Sequence, residues 1–166
     1  MTDADKAYKV AQRLIAMAKE KGATRLNFDT AETHALPRMP PEIANLSALR
    51  LLDMSDTRIT DLQPLTALTG LTTLYLHKTP ITDLQPLTAL TGLTRLSLTN
   101  TRIRDLRPLR NLRGLVENPG QGGLRFTDTP ATRTDPRIAE IAEIDVPATR
   151  ARELFGYLET WVPPAR

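Results

Sequence analysis

At 166 residues the chain is long enough for one continuous hydrophobic core and short for two domains. With 40% hydrophobic residues, 25% charged residues and a net charge of +3, it is excluded from the wholly disordered class, and no run approaches the roughly 18 consecutive apolar residues of a transmembrane helix. The absence of cysteine removes disulfides, thiolate catalysis and Cys-based metal sites, while an apolar set dominated by leucine, with only 4% aromatics, points to a repeated packing unit.

The opening stretch, "MTDADKAYKVAQRLIAMAKEKG", has no uncharged apolar core followed by small cleavage residues. A cytoplasmic protein is therefore the default expectation, with export by a non-classical route as the alternative. Residues 3–21 read as an amphipathic helix, with Ala7, Val10, Ala11, Leu14, Met17 and Ala18 on one face and Lys6, Lys9, Arg13 and Glu20 opposite. Residues 1–22 are expected to cap the N-terminal end of the core.

Residues 23–45 form a degenerate first unit in which Leu26-x-Phe28 stands for a short strand and "LPRMPPEIANL" for its return. From 46 to 115 the chain repeats itself with a period of 22 residues. "ITDLQPLTALTGLT" occurs at 59–72 and again, unchanged, at 81–94; Ile59, Ile81 and Ile103 are in register, as are Asp61, Asp83 and Asp105, and Leu52, Leu74 and Leu96. A fixed period of this size is the mark of a solenoid. Leu52-x-Met54, Leu74-x-Leu76 and Leu96-x-Leu98 alternate as half-buried strands do. Thr57, Thr79 and Thr101 follow where the chain turns inward and can bond turn backbone. "D-L-x-P-L" reads as a helical turn with Asp as N-cap and Pro64, Pro86 or Pro108 in its first turn, and Gly70, Gly92 and Gly114 suit a tight return.

Residues 116–131 carry an insertion, "ENPGQG", and a last degenerate unit, Leu124-x-Phe126 with Thr129 in the threonine slot. Residues 132–166 are expected to supply two C-terminal capping helices. The first begins at Thr134 or Asp135 with Pro136 behind it; the second, about 147–161, aligns Ala151, Leu154, Leu158 and Trp161.

On "LTTLYLHKTPITDLQPLTAL" and "LTRLSLTNTRIRDLRPLRNL" the unit resembles the leucine-rich repeat family, most closely its 22-residue internalin-like class. The match covers residues 46–115 and departs from the family pattern in placing Thr where Asn or Cys usually follows the strand. The resemblance implies an α/β fold: a short, right-handed, single-domain solenoid with about five parallel strands on a concave face and a helix cap at each end. It also implies a bacterial protein.

Alternation along the strands selects the side chains expected on the concave face: Arg25, Asn27 and Asp29; Leu51, Asp53 and Ser55; Thr73, Tyr75 and His77; Arg95, Ser97 and Thr99; Gly123, Arg125 and Thr127. Asp56, Lys78, Asn100 and Asp128 follow at the strand ends. These positions differ in every copy while the frame repeats, and Leu51 and Tyr75 are expected as exposed apolar anchors in a polar field. A protein partner bound there by a monomeric, non-enzymatic module is the expected function, with no cofactor, no metal and no membrane.

Two rival readings stand beside it. Arg102, Arg104, Arg107, Arg110 and Arg113 lie within twelve residues against one acid, Asp105, and could bind nucleic acid or an acidic partner. No aromatic residues interleave them for base stacking, so a nucleic acid is the weaker version. Ser55, His77 and Asp53 fall on adjacent strands as a hydrolase set, with Thr99 in the same row, but lack a nucleophile elbow and an oxyanion loop. "NPGQGG" is not followed by the Lys-Ser/Thr of a phosphate loop, and His34 and His77 sit in different coils with no close carboxylate spacing.

Overall fold

The computed structural model describes residues 1–117 and 123–162. Its centre is a parallel sheet of five strands, β1 (Arg25–Asn27), β2 (Leu51–Asp53), β3 (Thr73–Tyr75), β4 (Arg95–Ser97) and β5 (Leu124–Arg125), ordered in space as in sequence. Pairing sets Leu26 beside Leu52, Leu52 beside Leu74, Leu74 beside Leu96 and Leu96 beside Leu124. The last step holds this register although its strands lie 28 residues apart rather than 22. The lengthening falls on the "ENPGQG" insertion, whose residues 118–122 lie outside the described ones.

Each of the first four strands returns through a short 3₁₀ helix: Pro41–Asn45, Gln63–Leu65, Gln85–Ala89 and Arg107–Asn111. Proline stands in the first turn of all four, where its missing N–H is harmless. The capping differs from the expectation. Asp61, Asp83 and Asp105 precede the cap residue and accept the N–H two positions on, from Gln63, Gln85 and Arg107, in Asx-type turns.

Stacking converts the period into columns. Ile59, Ile81 and Ile103 are fully buried, as are Leu71, Leu93 and Leu115. The column of Met54, Leu76 and Leu98 ends in the two larger residues, Phe28 and Phe126. Each such side chain contributes about 1.5–3 kcal/mol relative to exposure. The threonines close the turn as expected: the hydroxyls of Thr57, Thr79, Thr101 and Thr129 donate to the carbonyls of Met54, Leu76, Leu98 and Phe126 at 2.7, 2.6, 2.8 and 3.2 Å. Thr33 does the same for the first coil, donating to the Phe28 carbonyl.

Helices close both ends. Helix α1 (Asp3–Glu20) packs on β1 and on the Pro41–Asn45 turn, capped by Thr2 and Asp5 in a reciprocal box. Its buried stripe is Ala7, Ala11, Ile15 and Ala18, so the predicted face is rotated: Met17 is 44% exposed, and Ile15 takes its place. At the other end, α2 (Gly114–Glu117) lies under α5 (Pro147–Leu158), and α3 (Pro130–Thr134) under α4 (Pro136–Ala142). Ala151, Leu154 and Leu158 of α5 are buried, as expected. Arg150, also buried, donates from Nε to the Leu124 carbonyl at 2.7 Å and from Nη1 to that of Ile144, so a cation satisfies two carbonyls at the last coil.

Asp135 is the N-cap of α4, accepting from Arg137 N–H at 2.9 Å and Ile138 N–H at 3.1 Å. The same carboxylate accepts Tyr157 Oη at 3.0 Å and Trp161 Nε1 at 2.6 Å, tying the cap helices together. Burial alone would raise its pKa, but the donated hydrogen bonds outweigh burial and leave it lowered. A lowered carboxylate stabilises above its unfolded value, about 3.9, and loses that contribution as pH falls through its folded value. Asp135→Ala should therefore cost about 2 kcal/mol near neutrality. In paired thermal unfolding curves, the gap to wild type should narrow only below about pH 4. A gap independent of acid would refute this role.

The repeat glycines are not there for left-handed backbone, which among the described glycines occurs at Gly22 and Gly123. At Gly114 the reason is close approach: a Cβ would sit 2.5 Å from the Leu93 carbonyl oxygen, whereas at Gly92 the nearest atom is an ordinary 3.6 Å away. Gly114→Ala should lower stability by about 1–3 kcal/mol, and Gly92→Ala should be neutral or stabilising. Urea unfolding of both variants checks this, and equal losses would contradict it.

Candidate functional site

The strands present alternate residues away from the core, and the expected row lies on that face. Arg25, Asn27 and Arg125 are exposed, and Asp29, Leu51, Asp53, Tyr75, His77, Arg95, Ser97, Thr99 and Thr127 are half-buried. Three members depart from expectation. Ser55 is 0% exposed, Thr73 is 8% exposed and Gly123 is buried, so none of these offers a contact group. Leu51 and Tyr75 are not free apolar anchors either: both are half-buried, and the Tyr75 hydroxyl accepts Arg95 Nη1 at 3.1 Å.

Asp53, Tyr75, His77, Arg95, Ser97, Gly123 and Arg125 frame an open depression of about 510 Å³. Among the described residues neither Arg95 nor Arg125 has a carboxylate partner, and Arg95 Nε is buried with no hydrogen bond. Two cations without carboxylate partners thus converge on the groove, which attracts an anionic group.

At the strand ends the chain adopts left-handed backbone at Asp56, Lys78, Asn100 and Asp128, with φ of 55, 56, 57 and 56°. Asp and Asn tolerate that conformation, while Lys78 bears its cost. The N–H of Asp56, Lys78 and Asn100 donates to the next coil at His77, Thr99 and Thr127, each at 3.0 Å, which keeps the turns stacked. Position in the repeat could have located these turns, because all four share one slot.

The hydrolase set comes together only in part. Ser55 Oγ lies 2.7 Å from His77 Nδ1. Asp53, however, accepts the Ser55 N–H at 2.9 Å instead of orienting the imidazole, and the serine is beyond the reach of solvent. Such a hydroxyl has no path to a substrate and serves as a prop for the His77 ring.

The sequence expectation for the histidines is corrected. His34 Nε2 lies 3.3 Å from Asp29 Oδ1, and His77 Nε2 lies 3.8 Å from Asp56 Oδ2. Asp29, Asp56 and His77 each turn one donor atom into a volume where all three atoms lie within 4.8 Å of one another. Chain folding, not spacing in sequence, creates this group: Asp29, Ser55 and His77 occupy equivalent slots of three neighbouring coils. Lys78 Nζ stands 3.4 Å from Asp56 Oδ2 at its edge.

Arg102, Arg104, Arg107, Arg110 and Arg113 are all exposed. Two of them are engaged elsewhere. Arg107 is bound by Asp105 through Nε at 2.9 Å and Nη2 at 2.7 Å, and the guanidinium holds that carboxyl below its usual range. Arg102 instead lines a second hollow at the strand ends, with Arg58, Lys78 and Arg133.

The coil geometry has counterparts in known proteins. Residues 47–89 and 69–111 both match the family described as Leucine Rich repeats (2 copies). Residues 47–111 are therefore leucine-rich repeats. Among solved structures, internalin C2 of Listeria monocytogenes is 37% identical, with a TM-score of 0.50 over 57% of this chain and 41% of the internalin. The internalin inlF of the same organism gives a TM-score of 0.52 at 22% identity, over 86% of this chain and 46% of that one, which speaks for the fold alone. The leucine-rich repeat chain thus spans less than half the length of either internalin. No curated protein sequence matches it. Leucine-rich repeats are commonly protein–protein interaction modules and typically not enzymes. No helix among the described residues is long and apolar enough to cross a membrane.

Proposed function

We propose that this leucine-rich repeat chain is a non-enzymatic recognition module that binds a protein partner on its strand face through an acidic contact. The observation that carries the reading is the groove between β2 and β5, where Arg95 and Arg125 lack carboxylate partners and Arg95 Nε lacks any hydrogen bond. A carboxylate from a partner pairs with the exposed Arg125 and the half-buried Arg95 guanidinium, and Tyr75, held by Arg95, offers a rigid aromatic surface beside it. Rigid strands keep these groups in place before binding, which limits the ordering cost. Asp53 on the opposite rim gives the groove a second sign of charge and hence an orientation for the partner.

A second reading rests on a different observation. Arg104, Arg110 and Arg113 are exposed with no carboxylate partner among the described residues, and could meet an acidic surface on their own. Charge reversal separates the two. In affinity capture from the native host, Arg95→Glu with Arg125→Glu should weaken recovery of the specific partner about 30-fold or more, as expected for a groove anchor costing about 2 kcal/mol. Arg104→Glu with Arg110→Glu should leave recovery near wild type. The reverse pattern would place the contact on the arginine cluster and overturn the strand-face assignment.

A further inference from the structure

The group formed by Asp29, Asp56 and His77 is not used by the recognition groove, although His77 borders both. These side chains come from the ends of three consecutive strands. Asp29 and His77 are two strands apart, roughly 9.6 Å at the backbone, yet their donor atoms and that of Asp56 all fall within 4.8 Å of one another. The intervening residue explains how. Ser55 is small and wholly sunk, so no side chain stands between its neighbours, and both lean over it.

Ser55 also fixes the imidazole. Its hydroxyl holds His77 Nδ1 at 2.7 Å, which directs Nε2 outward to the two carboxylates. A metal-binding histidine is oriented in the same way, by a partner on the ring nitrogen that does not ligate. His34 steadies Asp29 from the other side, at 3.3 Å. The cation paired with Asp56 is Lys78, whose ammonium lies 3.4 Å from that carboxylate on an exposed side chain and can swing away, while Arg58, Arg102 and Arg133 line the hollow that Asp56 also borders.

We infer that Asp29, Asp56 and His77 form a binding site for a divalent first-row ion of the zinc type. One imidazole and two carboxylates suit zinc, whereas calcium takes 6–8 oxygen donors. Donors around a tetrahedral zinc with bonds of about 2.0–2.1 Å lie roughly 3.4 Å apart, so the group closes by side-chain rotation without backbone movement. Three protein donors leave a fourth position open to water or to a ligand.

The chain makes a clean test possible, because its two histidines both lie here and it has no cysteine. Tag-free protein is titrated with zinc chloride by calorimetry and with cobalt chloride by visible absorption, with no partner present. The expected result is saturable uptake of one ion per chain, a cobalt absorption band of tetrahedral intensity, and a rise in melting temperature reversed by a chelator. Asp56→Asn and His77→Gln should each weaken uptake at least 10-fold, while their circular dichroism spectra match wild type. Absence of one-to-one uptake, or uptake equally strong in both variants, would overturn the assignment. Because ions alone are used, failure here leaves the recognition groove untouched, and loss of partner capture leaves the metal site untouched.

Discussion

Everything in this molecule depends on leucine standing beside leucine across parallel strands. The registers Leu26–Leu52, Leu52–Leu74, Leu74–Leu96 and Leu96–Leu124 set every other column, because a slip of one residue would turn each strand's apolar set outward. A column cannot end in water without exposing its last member, so the helices at the two ends follow from the same constraint. The N-terminal cap meets it with alanines that let α1 lie close. The C-terminal cap meets it with a buried arginine and with Asp135, where one carboxylate ties α4 to the tyrosine and tryptophan of the last segment.

That frame leaves little freedom on its inner side and much on its outer side. The buried threonines direct their hydroxyls to carbonyls of their own coil, so they close the turns and offer nothing to a ligand. The outward positions of the strands are held just as firmly but carry no packing duty. Residues there can lack a carboxylate partner, as Arg95 and Arg125 do, and a cation held by rigid strands is a better recognition element than one on a mobile loop. Lys78 shows the same division at the turns: its backbone is bound into the stack in a conformation that Asp and Asn adopt more readily, while its ammonium reaches Asp56 at the surface.

The period made the sheet legible from the sequence, down to the pairing of residues 22 apart and the two degenerate ends, because stacking must repeat what the chain repeats. Local chemistry was harder to read. Met17 looked like a core residue and is exposed, since α1 turns Ala7, Ala11, Ile15 and Ala18 to the core, a rotation set by packing that one helix cannot reveal. The repeat glycines looked like the pivots of a tight return, and Gly114 is instead a clearance for a carbonyl of the preceding coil. Ser55 looked like a surface group because alternation counts positions and not depth. Its sinking is also why Asp29 and His77 meet, a contact between coils that no spacing along the chain displays. The outward row itself was readable, and its grouping into an arginine-lined groove was not.

Whether partner recognition uses the strand face between β2 and β5 is tested most directly by residue-level footprinting of the captured complex. Arginine- and tyrosine-directed labelling, read by mass spectrometry, reports on both candidate surfaces at once. Protection of Arg95, Arg125 and Tyr75, with Arg104, Arg110 and Arg113 labelled as in the free chain, is the predicted result. Protection of the arginine cluster with the groove still open to label would contradict it.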